Sequence, residues 1–427
     1  MLYHRVSPRL GMSSFQGLVF MLFLGMLFSY AYCAEQDPRL GVQVLQRPYL
    51  TWQGNPDRAI TINWQTEKPL SQVEVRYGTV SGNGDVGRYP LRGTGQSHTI
   101  ENMPESRWIH SVQLIDLQPA TDYYFVFGDG RDFSEVEYRF RTLTADDTPF
   151  RFVIGGDMGP GPRTRKLVKA AASRDPAFVV VGGDIHYENG EPRLYRVCDM
   201  WLDIWLDEMT DSTGRLIPMV HAIGNHEVNK LPSSVSIEKR APFYFGYYPQ
   251  DRNTYFSRDI GSLARFVILD SGHITPHEDQ VDWLKTQLES ATAIPWIIPV
   301  YHVPFYPSHR EFEGALSAMG RTYWMPLFEA ANVRVAFEHH DHTFKKTKPV
   351  KAGSVNSDGI IYLGDGCFGR EPREIRNGDA WYIEKALSTA HFWVVEVSGD
   401  RLDCLAVDEE NREFDTVSIT HKQRHTP

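Results

Sequence analysis

The order of apolar and polar positions divides the chain into two patterns. From about Pro48 to Thr142 the period is two. "AITINWQT" sets Ile60, Ile62 and Trp64 on one face and Thr61, Asn63 and Gln65 on the other. "VEVRYG" alternates in the same way, as does "VEYRFRTL" with Val136, Tyr138 and Phe140. That period belongs to strands with unlike faces. About seven such runs with turn signals between them predict a β-sandwich of roughly a hundred residues. The segment holds no cluster of potential ligands, so it reads as a packing or binding module without chemistry of its own.

After the polar stretch "TADDTPF" (144–150) the runs lose their alternation. "FRFVIGGD", "AFVVVGGD" and "IPMVHAIGN" are apolar almost throughout, as strands covered on both faces are. Between them "RTRKLVKAAASRD" and "RLYRVCDMWLDIWLDEM" have helical spacing. Strands continue in "ARFVILDS", "WIIPVYH" and "VRVAFEHH", with helices near 277–290 and 322–332. A repeated β-α order predicts a largely parallel sheet covered by helices, with ligands bound beyond the strand C-termini. Near the end of the chain "GIIYLG", "HFWVVEVSG" and "RLDCLAVD" predict the strands of a second sheet.

The N-terminus bears on where the chain works. Arg5 and Arg9 precede the uncharged run "GLVFMLFLGMLFSYAYC", with Ala31 and Cys33 at the −3 and −1 positions of a cleavage site. This is the pattern of an export signal over residues 1–33, which makes the mature chain secreted or periplasmic. A retained anchor is the other reading, because the run approaches the ~20 residues that span a bilayer. Cleavage would remove two arginines and no acid, taking the net charge from −10 to −12. Such a balance argues against nucleic acid or an anionic membrane as the main partner. An anionic substrate would then need something other than Lys and Arg to attract it. Cys198, Cys367 and Cys404 would remain, enough for one disulfide and too few for a disulfide scaffold.

The informative fact is where polar residues interrupt the apolar runs. Strand after strand ends in a potential metal ligand: Asp157, Asp184, Asn225, His302, and then His340 and His342. Singly, each has a bland reading as a turn cap or a satisfied polar residue. Five such stretches at successive strand ends converge on one edge of one sheet, and together they predict a metal site. Tyr187 follows Asp184 by three residues, either as a ligand or as a loop aromatic packed on the sheet. A phenol ionises near pH 10, so it acts as a ligand at neutrality only on a strongly charged ion.

The order D, GDxx, GNHE, H, HxH resembles the calcineurin-like metallophosphoesterase superfamily. Many of its members carry D-x-H at the first stretch, whereas Asp157-Met158-Gly159 has glycine there and Tyr187 appears at the second. That exchange resembles the purple acid phosphatase family, whose pattern is matched throughout. Its larger members also carry an N-terminal fibronectin type III or immunoglobulin-like sandwich. Leu117, Pro119, Thr121 and Tyr123 resemble the tyrosine corner of such sandwiches.

The resemblance implies an α/β metallophosphoesterase sandwich of two mixed sheets flanked by helices over 149–420. An all-β immunoglobulin-like sandwich over 41–143 precedes it. It implies a secreted dinuclear phosphatase acting on small phosphate monoesters, with a hydroxide generated at the metal pair as nucleophile. A phosphodiesterase or nucleotide pyrophosphatase is the alternative. Asp157, Tyr187 and His342 would hold ferric iron, and Asp184 would bridge to a divalent zinc, iron or manganese held by Asn225, His302 and His340. The donor chemistry agrees, since anionic oxygens suit a trivalent ion and neutral nitrogens a divalent one.

By the same resemblance His226 contacts substrate and protonates the leaving alkoxide, and His309 is a further substrate contact. One departure is that the last motif begins with His339 rather than Gly, which leaves the register of the His340 and His342 pair open. His186, beside Tyr187, either reaches the pocket rim or faces away. The aromatic stretch 241–257 is expected to pack, and the mixed-charge loop 369–381 to sit at the pocket mouth. Two further readings are a binding protein with a relic phosphatase fold, and a Mn- or Zn-dependent esterase in which Tyr187 only packs.

Overall fold

The computed structural model describes residues 46–364 and 366–420. The expected export signal at 1–33 lies outside the described residues. Eight short strands build the first unit: β1 (Tyr49–Thr51), β2 (Ile60–Thr66), β3 (Glu74–Gly78), β4 (Leu91–Thr94), β5 (Gln96–His98), β6 (Trp108–Leu114), β7 (Asp122–Gly128) and β8 (Tyr138–Arg141). They form two sheets, ordered β1-β2-β6-β5 and β4-β3-β7-β8. Ile60, Ile62 and Trp64 enter the core between them, where the Trp64 and Phe127 rings lie 4.9 Å apart. The polar face of β2 is buried as well. Asn63 is satisfied there, with Nδ2 donating to Thr51 Oγ1 at 3.0 Å and Oδ1 accepting from Ser111 Oγ at 2.8 Å, whereas Thr61 Oγ1 and the Gln65 amide are buried without a hydrogen-bond partner. The tyrosine corner is present: the Gln118 N–H donates to Tyr123 Oη at 2.9 Å.

The second unit begins with β9 (Phe150–Gly155), β10 (Phe178–Val181), β11 (Met219–His221), β12 (Phe256–Ile260), β13 (Ala264–Ile268), β14 (Trp296–Val300), β15 (Val335–Phe337) and β16 (Phe344–Thr347). A small hairpin, β17 (Val350–Lys351) and β18 (Ser354–Val355), precedes β19 (Ile361–Gly364), β20 (Ile383–Leu387), β21 (His391–Val397), β22 (Arg401–Asp408) and β23 (Glu413–Thr420). Two mixed sheets result, β11-β10-β9-β21-β22-β23 and β12-β13-β14-β15-β19-β16-β20. This corrects the reading that put every ligand-bearing strand in one sheet. The strands β9, β10 and β11 are parallel neighbours in the first sheet, and β14 and β15 are parallel neighbours in the second. Local pattern could not separate them, because both sets are covered on both faces and read as the same apolar run.

Alternation survives inside those runs as a choice of neighbour. Phe152, Ile154, Phe178 and Val180 face the second sheet, where Phe152 and Phe266 meet edge to face at 4.9 Å. Val153, Val179 and Val181 face the other way, toward the helices Pro162–Ala172 and Tyr195–Glu208. Val281–Ser290, Ala315–Tyr323 and Met325–Ala330 accompany the second sheet, the last two separated at Trp324 by the proline that opens the final helix. Trp52 packs on Phe178 at 5.6 Å, so the sandwich and the second unit share a core. As expected, the aromatic segment packs: Phe243, Tyr244, Tyr247 and Tyr248 are all buried, and Tyr49 Oη donates to the Tyr247 carbonyl at 2.7 Å. Cys198, Cys367 and Cys404 are buried and free, so no disulfide joins them.

Buried neutral histidines make the fold sensitive to acid. His110 lies 2.7 Å from both Thr66 Oγ1 and Ser97 Oγ, and burial, reinforced by His98, lowers its pKa to about 4. The unfolded value is ordinary, ~6.5, so on acidification the unfolded chain takes up the proton first. The stability from His110 is complete above pH 6.5 and is lost as the pH falls toward 4. We expect thermal melts of His110→Gln to lose less stability across that window than wild type, by up to about 3 kcal/mol. An identical pH slope in the two proteins would remove His110 as a source.

Candidate metal centre

Two strand ends build the floor of the site. The parallel pairing of β9 and β10 continues past both strands: the Asp157 N–H donates to the Gly183 carbonyl at 3.0 Å, and Met158 to that of Asp184 at 2.9 Å. The two loops therefore travel side by side and deliver Asp157 and Asp184 together. Asn225 opens the short turn after β11, His302 follows β14, and His340 and His342 follow β15. Asp157, Asp184, Tyr187, His340 and His342 all adopt positive φ, between +54° and +78°. That region costs a residue other than glycine of order 1–3 kcal/mol, and such residues cluster at functional sites.

The donors fall into two groups. In one, His342 Nε2 lies 3.0 Å from Asp157 Oδ1, and Tyr187 Oη lies 3.0 Å from His342 Nε2 and 3.3 Å from Asp157 Oδ1. In the other, His302 Nε2 lies 3.3 Å from Asp184 Oδ2 and 3.1 Å from His340 Nδ1. Asp157, Asp184, His302 and His340 each offer an atom within 4.8 Å of the rest, so the groups adjoin at the two carboxylates. Asn225 Oδ1 is buried with no hydrogen-bond partner, an acceptor awaiting an electrophile. Nδ1 of His302 lies 2.9 Å from the Gly182 carbonyl. That contact fixes a proton on Nδ1 and leaves the Nε2 lone pair facing the cluster, as in metal-bound histidines.

The electrostatics of the donors favour a cation among them. Burial resists ionisation of Asp157 and Asp184, yet neighbouring imidazoles, His342 for the first and His302 for the second, hold both below the usual carboxylate range. Burial alone would lower His302, but Asp184 and Asp157 raise it to about 9. The two carboxylates thus draw positive charge toward His302, as they would toward a bound cation. The Tyr187 phenol is driven far up, by burial first and then by the two aspartates. Only a highly charged ion would make it a phenolate.

Gly159 carries the physical counterpart of the D-x-H to D-x-G exchange. Its φ is +63°, and a Cβ there would lie 3.3 Å from Tyr187 Cδ2 and 3.3 Å from Arg370 Nη1. The Tyr187 ring occupies the space beside Gly159, and the Arg370 guanidinium lies over that ring at 4.1 Å.

Models of known families match the chain in two consecutive segments. Residues 45–142 match the purple acid phosphatase N-terminal domain, and residues 150–344 match the calcineurin-like phosphoesterases. The chain belongs to the purple acid phosphatase family. It is a phosphoric ester hydrolase. It is 26% identical over 349 residues to probable purple acid phosphatase 20 of Arabidopsis thaliana, spanning 78% of this chain and 75% of that one. It is 25% identical over 327 residues to the Fe(3+)-Zn(2+) purple acid phosphatase 12 of the same plant, spanning 73% and 66%. Its fold matches that of purple acid phosphatase PPD1 from yellow lupin (Lupinus luteus) seeds with a TM-score of 0.75 at 19% identity, over 90% of this chain and 75% of that one.

Within this phosphatase the remaining expected residues fall as follows. His226 stands over the Tyr187 ring at 4.2 Å, with Nε2 3.9 Å from Asp184 Oδ2. His309 makes no hydrogen bond to an expected ligand. Its Nδ1 lies 2.8 Å from the Glu374 carbonyl, on the 369–381 loop. His186 faces away from the cluster, stacked on Tyr248. His339 settles the register of its motif. It is buried against Gly182, where a Cβ would fall 1.8 Å from His339 Nε2, so His340 and His342 are the members that reach the other donors.

Sequence reasoning passed over two supporting acids. Glu227, 1% exposed, accepts from the backbone N–H groups of Asp184 and Gly224 on Oε2 at 2.8 and 2.7 Å, and from Ile185 on Oε1 at 2.7 Å. It binds the loop after β10 to the turn after β11. Its signal was present in "GNHE", an acid three residues after Gly224 at capping-box spacing. Asp341, between the two histidines, accepts from the backbone N–H groups of Ser308 and His309 at 2.9 and 2.8 Å. We expect Glu227→Gln, which turns a donor toward buried N–H groups, to destabilise by about 2–4 kcal/mol and to lower metal content. Denaturant titration and metal analysis would measure this, and wild-type values for both would sink the role.

Proposed function

We propose that the chain is an exported acid phosphatase that hydrolyses phosphate monoesters at a ferric–divalent metal pair. The observation that carries this is the phenol-containing group of donors, Asp157, Tyr187 and His342, adjoining the imidazole-rich group of His302 and His340 at Asp184. The hard anionic set fits trivalent iron, and Asn225, His302 and His340 fit zinc, iron or manganese. Support for iron and zinc comes from the relative whose name gives Fe(3+)-Zn(2+). When bound, the pair would polarise the phosphate and supply a nucleophile at neutral pH. Export rests on the pattern of residues 1–33. Among the described residues no helix is long and apolar enough to cross a membrane.

The chain's own residues supply orientation and protons. His226 Nδ1 lies 2.5 Å from Asn189 Oδ1, which holds a proton on that nitrogen and leaves Nε2 to exchange one with the leaving alkoxide. Burial lowers His226, and the Asp184 carboxylate opposes this, keeping the ring able to carry a second proton. Arg370 lies over Tyr187, while Arg310 and Arg373 donate to the His340 carbonyl at 3.4 and 3.1 Å. These three arginines give a net-acidic chain a local cationic rim for an anionic substrate. His309, tied to the same loop, is proposed to meet the leaving group at the mouth.

Two measurements test the proposal. Aerobically purified protein should show a broad purple to pink visible band that Tyr187→Phe abolishes. A colourless protein that still binds two metals and hydrolyses esters would exclude the ferric phenolate. In steady-state assays kcat/KM should be higher for p-nitrophenyl phosphate than for bis(p-nitrophenyl) phosphate, and His226→Ala should keep both metals while losing about 100-fold or more in kcat. Preference for the diester would overturn the monoester assignment, and near-normal kcat in the variant would remove His226 from the chemistry.

A further inference from the structure

Tyr187 is flanked by two residues that the metal centre does not use. His186 is 1% exposed and Glu188 is 0% exposed, and Cys198 of the helix Tyr195–Glu208 is equally buried beside them. One donor atom of each lies within 4.8 Å of the other two. His186 Nδ1 and Glu188 Oε2 are 3.5 Å apart. That is long for a hydrogen bond, and it is close to the ~3.3–3.6 Å that separates two ligands each about 2.0–2.2 Å from a tetrahedral ion. Neither His186 Nδ1 nor either carboxylate oxygen of Glu188 has a hydrogen-bond partner. Buried polar atoms are nearly always paired. Three such orphans on two adjoining side chains, two of them 3.5 Å apart and next to a thiol, are not explained by packing.

The other nitrogen of His186 is accounted for. Nε2 lies 2.5 Å from Tyr248 Oη, and the ring sits between Tyr248 and Trp201, at centroid distances of 5.6 and 5.1 Å. The Tyr248 hydroxyl can accept from Nε2–H, and in that tautomer the Nδ1 lone pair lies on the side of Glu188, whose Oε2 is 3.5 Å away. Metal-bound histidines are oriented in this way.

We propose that His186 Nδ1, Glu188 and Cys198 Sγ hold a third metal ion, zinc, in a buried site behind the loop that carries Tyr187. A nitrogen, a carboxylate and a thiolate suit zinc and do not suit calcium or magnesium. The carboxylate and thiolate together balance a divalent charge, which removes the cost of burying Glu188 as an unpaired anion. Three protein donors leave the fourth tetrahedral position for a water. The consequence is mechanical: residues on both sides of Tyr187 become fastened to one helix, so the ion fixes the phenol from behind.

The test uses the full chain, expressed once in zinc-supplemented and once in cobalt(II)-supplemented medium. The expected result is one metal equivalent beyond the main pair, and in the cobalt protein a near-ultraviolet thiolate-to-cobalt charge-transfer band. Cys198→Ser should lose that equivalent and the band. Glu188→Gln, closer in shape to wild type, should lose the equivalent with its circular dichroism unchanged. Asp157→Asn, which weakens the main centre, should keep the thiolate band. Failure of the dinuclear reading therefore leaves this test standing, because the band belongs to a cysteine. Absence of the band in wild type, its persistence in Cys198→Ser, or an unchanged metal count in folded Glu188→Gln would each overturn the proposal.

Discussion

Asp157, Asp184 and Glu227 are almost fully buried carboxylates on neighbouring turns, and the rest of the site is arranged around that concentration of negative charge. Leaving a buried charge unpaired costs several kcal/mol. Backbone N–H groups answer part of the demand: three point at Glu227, that of His226 donates to Asp184 Oδ1 at 2.9 Å, and that of His340 donates to Asp157 Oδ2 at 2.8 Å. Imidazoles answer another part. Two of the three acids keep a lone pair directed at imidazole nitrogens that are themselves better used as metal ligands. Glu227, with its oxygens fully engaged by backbone, serves as structure, while Asp157 and Asp184 remain available for an ion.

Bringing those groups together bends the backbone into the left-handed region at five of the seven expected ligands. Such strain persists only where the surroundings over-determine it. The surroundings here are two sheets with an aromatic layer between them, in which Phe152, Phe178, Phe266 and Phe337 interlock at centroid distances from 4.9 to 6.2 Å. Trp52 of the sandwich closes that layer at Phe178. The N-terminal unit thus contributes no ligand, but it buries one side of the scaffold that holds the strained turns.

Much of this was legible from residue order. Each expected ligand follows an apolar run, so strand ends could be counted before any geometry was known, and the Gly159 and Tyr187 exchange marked the family. Sheet membership was not legible, since a strand buried on both faces carries no sign of which sheet it joins. Nor was the stacking of Arg370 on Tyr187, a contact between loops far apart in the chain with no periodicity to announce it. Glu227 was hidden differently. Its spacing was visible, yet a capping acid and a catalytic one look alike until the N–H groups it meets are known. His309 was prominent by resemblance alone, and residue order gave no sign that its ring would be anchored on the carbonyl of Glu374.

Net charge is a place where sequence reasoning was incomplete. A chain at −10 repels polyanions at a distance. At physiological salt, however, charges farther off than ~8 Å are largely screened, so a small anion at the site responds to its immediate neighbours. Those neighbours include Arg310, Arg370 and Arg373, and two of the three also hold the His340 carbonyl that begins the His340–His342 turn. The groups that would draw a phosphate inward therefore also shape the turn that presents the ligands. An acidic protein needs no basic surface to use an anionic substrate, provided that its few local cations are built into the frame of the site itself.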